Sequence, residues 1–346
     1  MRTGRTVPRA GLLGLAVLAL VGGAVPAVAE PVPVTVSATP IDHFALSDPS
    51  RTRFGVLDFR GGLVLTPSDS RFSSLSGLVL GSDGRAMLAV SDFGLWVAGT
   101  ITEDARGRPT GLDDVVVAAM LGPDGKPLGK RRGDAEAIVR LSRDAVLVSL
   151  EGTSLARFAG DPPFDARAAF VPRPPNLVRL PRNLGIEALA AAPAGSPLAG
   201  RIVAFGERAG ADGLHPGAML DDGRWRPIAL VGHDNFAVTD AAFLPGGDLL
   251  VLERRYDRPL GLYMRLRRIG VDDLRGSAPV DGPILTEADF GDEIDNMEGL
   301  AVHVTPAGET LLTFVSDDNR SIFQRTLILR FALSTPMPRA RPQTGG

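Results

Sequence analysis

The stretch Asp295-Asn296-Met297-Glu298-Gly299-Leu300-Ala301, with Ser316-Asp317 further along, decides how this chain folds. In it one acidic residue opens a short apolar run, and a second acidic residue closes another run after it. The same pattern, opened by a small or an acidic residue, occurs five times, with opening residues separated by 60, 51, 53 and 58 positions (76 to 136, 187, 240 and 298). The opening residues are Ser76, Glu136, Glu187, Asp240 and Glu298, and the closing residues are Asp92, Glu151, Glu207, Glu253 and Asp317. Repeats of roughly 40 to 50 residues built from short strands are typical of β-propeller blades.

Between these signatures the composition indicates strands and turns. The chain has 41 Gly and 28 Pro, which fall between short runs rich in Val, Leu and Ile. Turn sequences such as Ser82-Asp83-Gly84 and Pro245-Gly246-Gly247 separate adjacent apolar runs, as hairpins require. Four strands can be assigned to each of the first four units, and the last strand of the second unit is expected at Leu177–Leu180.

The fifth unit has only three strand-like runs before the chain becomes rich in proline. We expect Phe54–Thr66 to supply the missing outer strand and so to close the ring, because closure removes the exposed sheet edges that invite aggregation. The predicted fold class is therefore all-β, a propeller of five blades, with six as the alternative if residues 31–66 carry more than one strand. We expect one domain over residues 30–333 and a disordered tail over 334–346.

The first 29 residues have the pattern of a secretory signal peptide. Arg2, Arg5 and Arg9 give a positive start, Gly11–Val25 is apolar, and Ala27-Val28-Ala29 suits cleavage before residue 30. An uncleaved anchor is the alternative. Cleavage predicts an exported protein, periplasmic or extracellular, with no membrane span and in monomeric form.

The overall composition narrows the range of functions. The formal net charge is −3, so no basic field favours nucleic acid. The chain has no Cys, which excludes disulfides and thiolate metal sites. Its four His residues are dispersed without metal-ligand spacing, and no Gly-rich loop precedes a helix, so the sequence gives no support for an organic cofactor.

In a propeller the recurrent acids would converge on one mouth of the central channel. Crowded carboxylates repel one another unless cations intervene, and clusters of oxygen ligands suit Ca²⁺. The candidate metal ligands are Glu136, Glu151, Glu298 and Asp317, and the candidate catalytic carboxylates are Glu136, Glu187 and Glu298. The alternative is structural, since recurrent acids in repeat proteins also accept backbone N–H groups or pair with Arg from the neighbouring repeat.

Several arginines lie beside the acidic positions and distinguish one repeat from another. A guanidinium next to an outer acid could grip an anionic group with two hydrogen bonds. The predicted substrate-binding residues are Arg208, Arg254, Arg255 and Arg320.

At the repeated signatures the chain resembles the family described as esterase-like activity of phytase. The matching segments are Leu75-Ser76-Gly77-Leu78, Leu88 to Gly94, Asp134-Ala135-Glu136-Ala137, Ser149-Leu150-Glu151-Gly152, Gly185 to Leu189, Asp295 to Leu300 and Ser316 to Asn319. They cover about residues 55–331. The resemblance implies an exported β-propeller and hydrolysis of phosphoesters or carboxylesters. Propeller phytases are similar in using Ca²⁺ and an acidic channel, but this chain lacks an evident lysine-rich phosphate cleft.

Two functional hypotheses follow. In the first the protein is a metal-assisted hydrolase of an ester or phosphoester, with a small anionic substrate held by the arginines. In the second it is a non-catalytic propeller of the cell envelope that uses the same mouth to bind a ligand or a protein.

Overall fold

The computed structural model describes residues 30–178, 180, 184–257 and 261–334. The predicted signal peptide lies outside the described residues, as does the predicted tail apart from Ser334. The described part begins with four strands that precede the first complete blade: β1 (Val32–Pro33), β2 (Val36–Ile41), β3 (Arg53–Phe54) and β4 (Leu57–Pro67).

Five antiparallel sheets follow one another along the chain. Blade 1 contains β5 (Leu75–Leu80), β6 (Ala86–Ser91), β7 (Leu95–Glu103) and β8 (Pro109–Ala119). After the short helix α1 (Lys130–Gly133), blade 2 contains β9 (Ala135–Ser142), β10 (Ala145–Leu150), β11 (Ser154–Ala159) and β12 (Ala169–Val171). Blade 3 contains β13 (Ile186–Ala191), β14 (Ile202–Gly206), β15 (Leu214–Asp221) and β16 (Arg224–Val231).

Blade 4 contains β17 (Ala237–Phe243), β18 (Leu249–Asp257) and β19 (Gly261–Ile269), then the helix α2 (Val271–Arg275) and β20 (Ile284–Ala288). Blade 5 contains β21 (Asn296–Val304), β22 (Thr310–Asp317) and β23 (Thr326–Leu333). The first strands of the five blades contact one another in cyclic order, β5, β9, β13, β17, β21 and back to β5. The fold is a five-bladed β-propeller, as the repeat predicts.

The hydrophobic core lies between neighbouring blades. Between blades 1 and 2, for example, the ring of Trp96 packs edge-on against that of Phe158 at 5.0 Å, and Ile138 is buried in the same cluster. Alternation along each strand places apolar side chains on both faces of a sheet, and each blade covers the face of the next. Each blade therefore buries its apolar faces only by packing against its neighbours in the ring.

The N-terminal segment closes the ring, as predicted. Strand β4 pairs with β23, with Leu57 opposite Leu333, and β2 pairs with the far side of β4. Strand β1 instead pairs with β8 at the outer edge of blade 1. Residues 31–66 thus carry more than one strand, but these strands extend blades 5 and 1 and form no sixth blade.

The predicted outer strand of blade 2 at Leu177–Leu180 is wrong. The fourth strand of that blade is β12, and Leu177 lies in a turn, where its N–H bonds to the carbonyl oxygen of Pro174. Leu177 is nevertheless fully buried between blades 2 and 3. A buried apolar loop has the same composition as a short strand, which explains the error. Among the described residues no helix has the length and apolar character needed to cross a bilayer.

Candidate functional site

Each innermost strand has a one-residue irregularity near its beginning. In blade 5 Met297 pairs with Ser316 and Gly299 pairs with Val315, so Glu298 has no partner on β22. Such a bulge re-aims a side chain and is common beside active sites. The unpaired residues in the five blades are Ser76, Glu136, Glu187, Thr239 and Glu298.

The second strand of each blade passes or ends beside this bulge. One residue of the second strand pairs with the residue that directly precedes the bulge on the first strand. The next residue along the chain occupies the position that corresponds to the predicted closing acid. In blade 5 Ser316 is followed by Asp317, and in blade 2 Leu150 is followed by Glu151. The five equivalent residues are Asp92, Glu151, Glu207, Arg254 and Asp317.

Blade 4 departs from the sequence prediction by one residue on both strands. Val238 pairs with Glu253 and Asp240 pairs with Leu252, so the bulged residue is Thr239 and the following closing position is Arg254. A shift of one residue turns a side chain to the other face of the sheet. The prediction that Asp240 and Glu253 belong to the mouth is therefore wrong.

Both displaced acids are buried in structural contacts. The carboxylate of Asp240 accepts hydrogen bonds from the backbone N–H of Leu300 in blade 5, at 2.7 Å, and of Ala241, at 2.8 Å. Glu253 is fully buried and forms two bonds with the guanidinium of Arg267, at 2.6 and 2.8 Å. The structural role considered for the recurrent acids applies to blade 4.

The other eight predicted positions line one cavity of about 300 Å³. We call this cavity the acidic mouth. Its lining residues are Ser76, Asp92, Lys130, Asp134, Glu136, Glu151, Glu187, Glu207, Arg254, Asn296, Glu298, Asp317 and Asn319. Eight of these side chains are carboxylic acids, and two are cations.

Burial and mutual repulsion disturb the titration of these acids. Desolvation, with the charge of Glu187 next in importance, raises the pKa of Glu136 to about 11. Desolvation also raises the pKa of Asp317 to about 8 and that of Glu298 to about 7. The pKa of Glu187 is raised well above its ordinary value for the same reason, and that of Asp134 to about 6. Several of these acids thus keep a proton near neutral pH.

Two cations offset part of this negative charge. The Nη1 atom of Arg254 lies 3.0 Å from Oε1 of Glu298, and the same nitrogen donates to Oδ1 of Asn296. The Nζ atom of Lys130 lies 3.1 Å from Oδ2 of Asp134 and 3.8 Å from Oδ2 of Asp92. Arg254 thus reaches the mouth from blade 4, at the position where the other blades carry an acid.

Sequence reasoning missed four residues of the mouth. Asn296 donates to Oε1 of Glu298 at 2.9 Å and approaches Oδ2 of Asp317 at 3.4 Å, so it bridges two acids of blade 5. Asn296 and Asn319 both stand in the quoted motifs, which was the available signal. Asp134 also stands in a quoted motif, directly before Ala135-Glu136. Lys130 comes from α1, which lies outside the repeat and gave no signal of its position.

Of the four predicted arginines only Arg254 lines the acidic mouth. The Nη2 atom of Arg208 lies 3.4 Å from Oε1 of Glu207, one of the lining acids. Arg320 stacks on the ring of Phe93 at 3.4 Å and donates to Ser73. Arg255 does not line the mouth. Its guanidinium lies 4.4 Å from the ring of Tyr263 and 5.0 Å from that of Phe236.

The donors of the mouth suit a hard divalent cation. Gly185 leaves a small space there. A Cβ at that position would lie 2.9 Å from Oε1 of Glu187, 3.5 Å from Oε2 of Glu151 and 3.2 Å from Cγ of Glu136. These all-oxygen donors agree with the preference of Ca²⁺. In the described ranges, however, no three His, Asp or Glu side chains already form a ligand set, so binding requires side-chain rotation or water ligands.

Comparison with protein families agrees with this architecture. The profile of the phytase-like family, described as esterase-like activity of phytase, matches residues 70–320. The chain belongs to the phytase-like family. The match extends from just before β5 to the loop after β22, so it includes every acid of the mouth. A search of curated proteins gave no match to this phytase-like chain.

Proposed function

We propose that this phytase-like propeller hydrolyses a carboxylester or phosphoester at the acidic mouth. The observation that supports this function most directly is the environment of Glu298. Its side chain is nearly buried, it contacts both Arg254 and Asn296, and burial raises its pKa to about 7. A carboxylate with a pKa near the working pH is suited to general base catalysis.

Blade 5 supplies a pair of acids with different proton affinities. At neutral pH Glu298 is partly ionised and accepts a proton from the attacking water. Asp317, with a pKa of about 8, still holds its proton and donates it to the oxygen of the leaving alcohol. Asn296 contacts both side chains and fixes their separation. Two acids whose pKa values are set apart by their environment can divide the base and acid roles.

Blades 2 and 3 supply the proposed cation site. Of the ligands predicted from the sequence, Glu136 and Glu151 face the space beside Gly185 together with Glu187. We assign the ion to these three residues and leave Glu298 and Asp317 for proton transfer. A bound Ca²⁺ would polarise the ester or phosphoryl oxygen. Because only ionised carboxylates bind metal, its affinity should rise with pH.

The proposed setting is the periplasm or the medium. It rests on the charged start, apolar run and small-residue cleavage pattern of residues 1–29.

The test is hydrolysis by the purified protein. Generic carboxylester, phosphomonoester and phosphodiester substrates are supplied with Ca²⁺ or with chelator. Glu298→Gln, which keeps the shape and removes the base, should lower kcat by about 100-fold or more. Asp165→Asn, at an exposed acid that does not line the mouth, is the control and should keep full activity. If the wild-type protein turns over none of these substrates, the mouth is a binding site and the hydrolase proposal is abandoned.

A further inference from the structure

A second cavity lies beside the acidic mouth on blade 4. It has a volume of about 350 Å³, and Arg254 lines both cavities. Its other cationic residues are Arg208 and Arg255. We call this cavity the arginine pocket. The two cavities share a wall, so a ligand longer than either one would pass Arg254.

The arginine pocket has the opposite charge balance from the mouth. Three arginines face two aspartates, Asp234 and Asp257. The carboxylate of Asp234 is bound to the nearly buried guanidinium of Arg265 at 2.8 Å, and Arg254 is paired with Glu298 at 3.0 Å. Arg208 and Arg255 are therefore the arginines best placed to bind an added anion. An anion would therefore be attracted here and repelled by the neighbouring mouth.

Arg255 of this pocket is held in place, and Arg208 keeps donors available. Arg255 stacks on Tyr263 and Phe236, and its Nη1 donates to the backbone oxygen of Asp234 at 3.3 Å. The side chain of Arg208 is 58% exposed, and its one ion pair among the described residues is the 3.4 Å contact with Glu207. A fixed planar guanidinium loses little freedom when it binds a carboxylate or a phosphate with two bonds.

We propose that the arginine pocket is an anion subsite that binds a negatively charged group on the part of the substrate that does not react. This inference rests on the proposed ester hydrolysis and narrows its substrate class. The substrate is an ester that also carries a carboxylate, sulfate or phosphate group. Arg254 lies between the negatively charged lining of the mouth and the positively charged lining of the arginine pocket. The substrate would therefore lie with its ester in the mouth and its anionic group in the arginine pocket.

The first experiment measures binding without turnover, with inorganic sulfate as the probe. Calorimetric titration at low ionic strength should show sulfate binding that becomes about tenfold or more weaker in the double variant Arg208→Gln/Arg255→Gln, because charge-assisted hydrogen bonds are lost. Arg224→Gln, on the outer strand of blade 3, is the matched control and should bind like the wild type. Glu298→Gln should also keep sulfate binding. Equal affinity in the wild type and the double variant, or no binding by the wild type, overturns the subsite.

The second experiment separates this inference from the proposed function. Two carboxylesters that differ only in a terminal carboxylate or its methyl-capped form are compared by kcat/KM. The double variant should lose about tenfold of the preference in kcat/KM for the charged ester over the capped ester. An unchanged preference overturns the subsite even if hydrolysis is real. If neither ester is hydrolysed by the wild type, the hydrolase proposal fails and the sulfate titration still decides the subsite.

Discussion

Glu253 in blade 4 and Glu151 in blade 2 each lie on or directly after the second strand of a blade, close to the bulge of the first strand, yet their environments differ. Glu253 is fully buried against Arg267, whereas Glu151 lines the acidic mouth. The difference is a one-residue shift in the pairing of β17 with β18. Blade 4 therefore uses its acids to hold the fold, and the equivalent position in the mouth is taken by Arg254.

This contrast shows that one sequence signature serves two purposes in the same ring. Acids with a fixed partner, such as Asp240 and Glu253, stabilise the contact between strands. Glu136, whose carboxyl group has no hydrogen bond or ion pair among the described residues, raises the free energy of the folded state, and we expect it to be retained for what it can bind or transfer. The charge around the mouth is uneven, because among the five equivalent closing positions only that of blade 4 carries a cation, Arg254.

The largest expected effect concerns the buried pair of blade 4. Arg267→Met would leave the carboxylate of Glu253 buried and unpaired, and the free energy of unfolding should fall by about 3–5 kcal/mol. Urea denaturation at pH 7 measures this loss. Arg254→Met in the mouth is the comparison and should cost less, because Glu298 can respond by taking up a proton. Equal losses in the two variants would contradict the division between structural and functional acids.

The second effect concerns the pH dependence of stability. Asp134, Glu298 and Asp317 have raised pKa values in the folded protein, about 6, 7 and 8. Unfolded chains lose these protons near pH 4, so between about pH 4 and pH 8 the folded state holds more protons and stability falls as pH rises. In chelator the free energy of unfolding should be lower at pH 8 than at pH 5, and Glu298 alone should contribute about 2–3 kcal/mol to this difference.

The control for the pH effect is the double variant Glu298→Gln/Asp317→Asn. Its stability should depend less on pH over the same range, since two of the titrating groups are gone. Added Ca²⁺ should also reduce the loss at pH 8 in the wild type, because the ion binds only the ionised folded form. A flat wild-type profile in chelator would show that the acids of the mouth are not repelling one another.

The smallest expected change in the free energy of unfolding has opposite signs in the acidic mouth and in blade 4. Since its pKa in the folded protein is about 11, Glu136 must take up a proton when the chain folds at pH 8. Glu136→Gln removes this cost and should raise the free energy of unfolding at pH 8 in chelator by at least about 1 kcal/mol. Asp240→Ala in blade 4 removes the acceptor of two backbone N–H groups and should lower it by about 1–2 kcal/mol. Thermal unfolding of both variants against the wild type measures the difference, and a shift of the same sign in both would refute the contrast.

The sequence predicted the five blades, the closing strand and eight of the ten recurrent positions. These succeeded because apolar runs, turn residues and repeat length are local properties. The predicted register of blade 4 was wrong because the sequence Asp240-Ala241 resembles the opening pattern Glu136-Ala137. A usable signal was the apolar residue that precedes each true opening, such as Met297 before Glu298. Val238 precedes Thr239 in this way, whereas Asp240 follows a threonine.

The remaining errors concern segments between the repeats. Lys130 reaches the mouth from a connection whose path depends on tertiary packing, and Leu177 is buried in a loop. The assignment of the acids to metal or proton transfer stays a prediction, because residue type and spacing do not determine ionisation. The burial of each carboxyl group determines its ionisation, as the raised pKa values of Glu136 and Glu298 illustrate.

The pairing of β4 with β23 also determines the order in which the molecule can assemble. Because Leu57 pairs with Leu333, strand β4 cannot complete its hydrogen bonds until β23 has been synthesised. Until then β4 carries an unsatisfied edge, and contacts between residues so distant in sequence form slowly. A chain that stops before residue 326 would retain four complete blades and this open edge, and it should aggregate or be degraded.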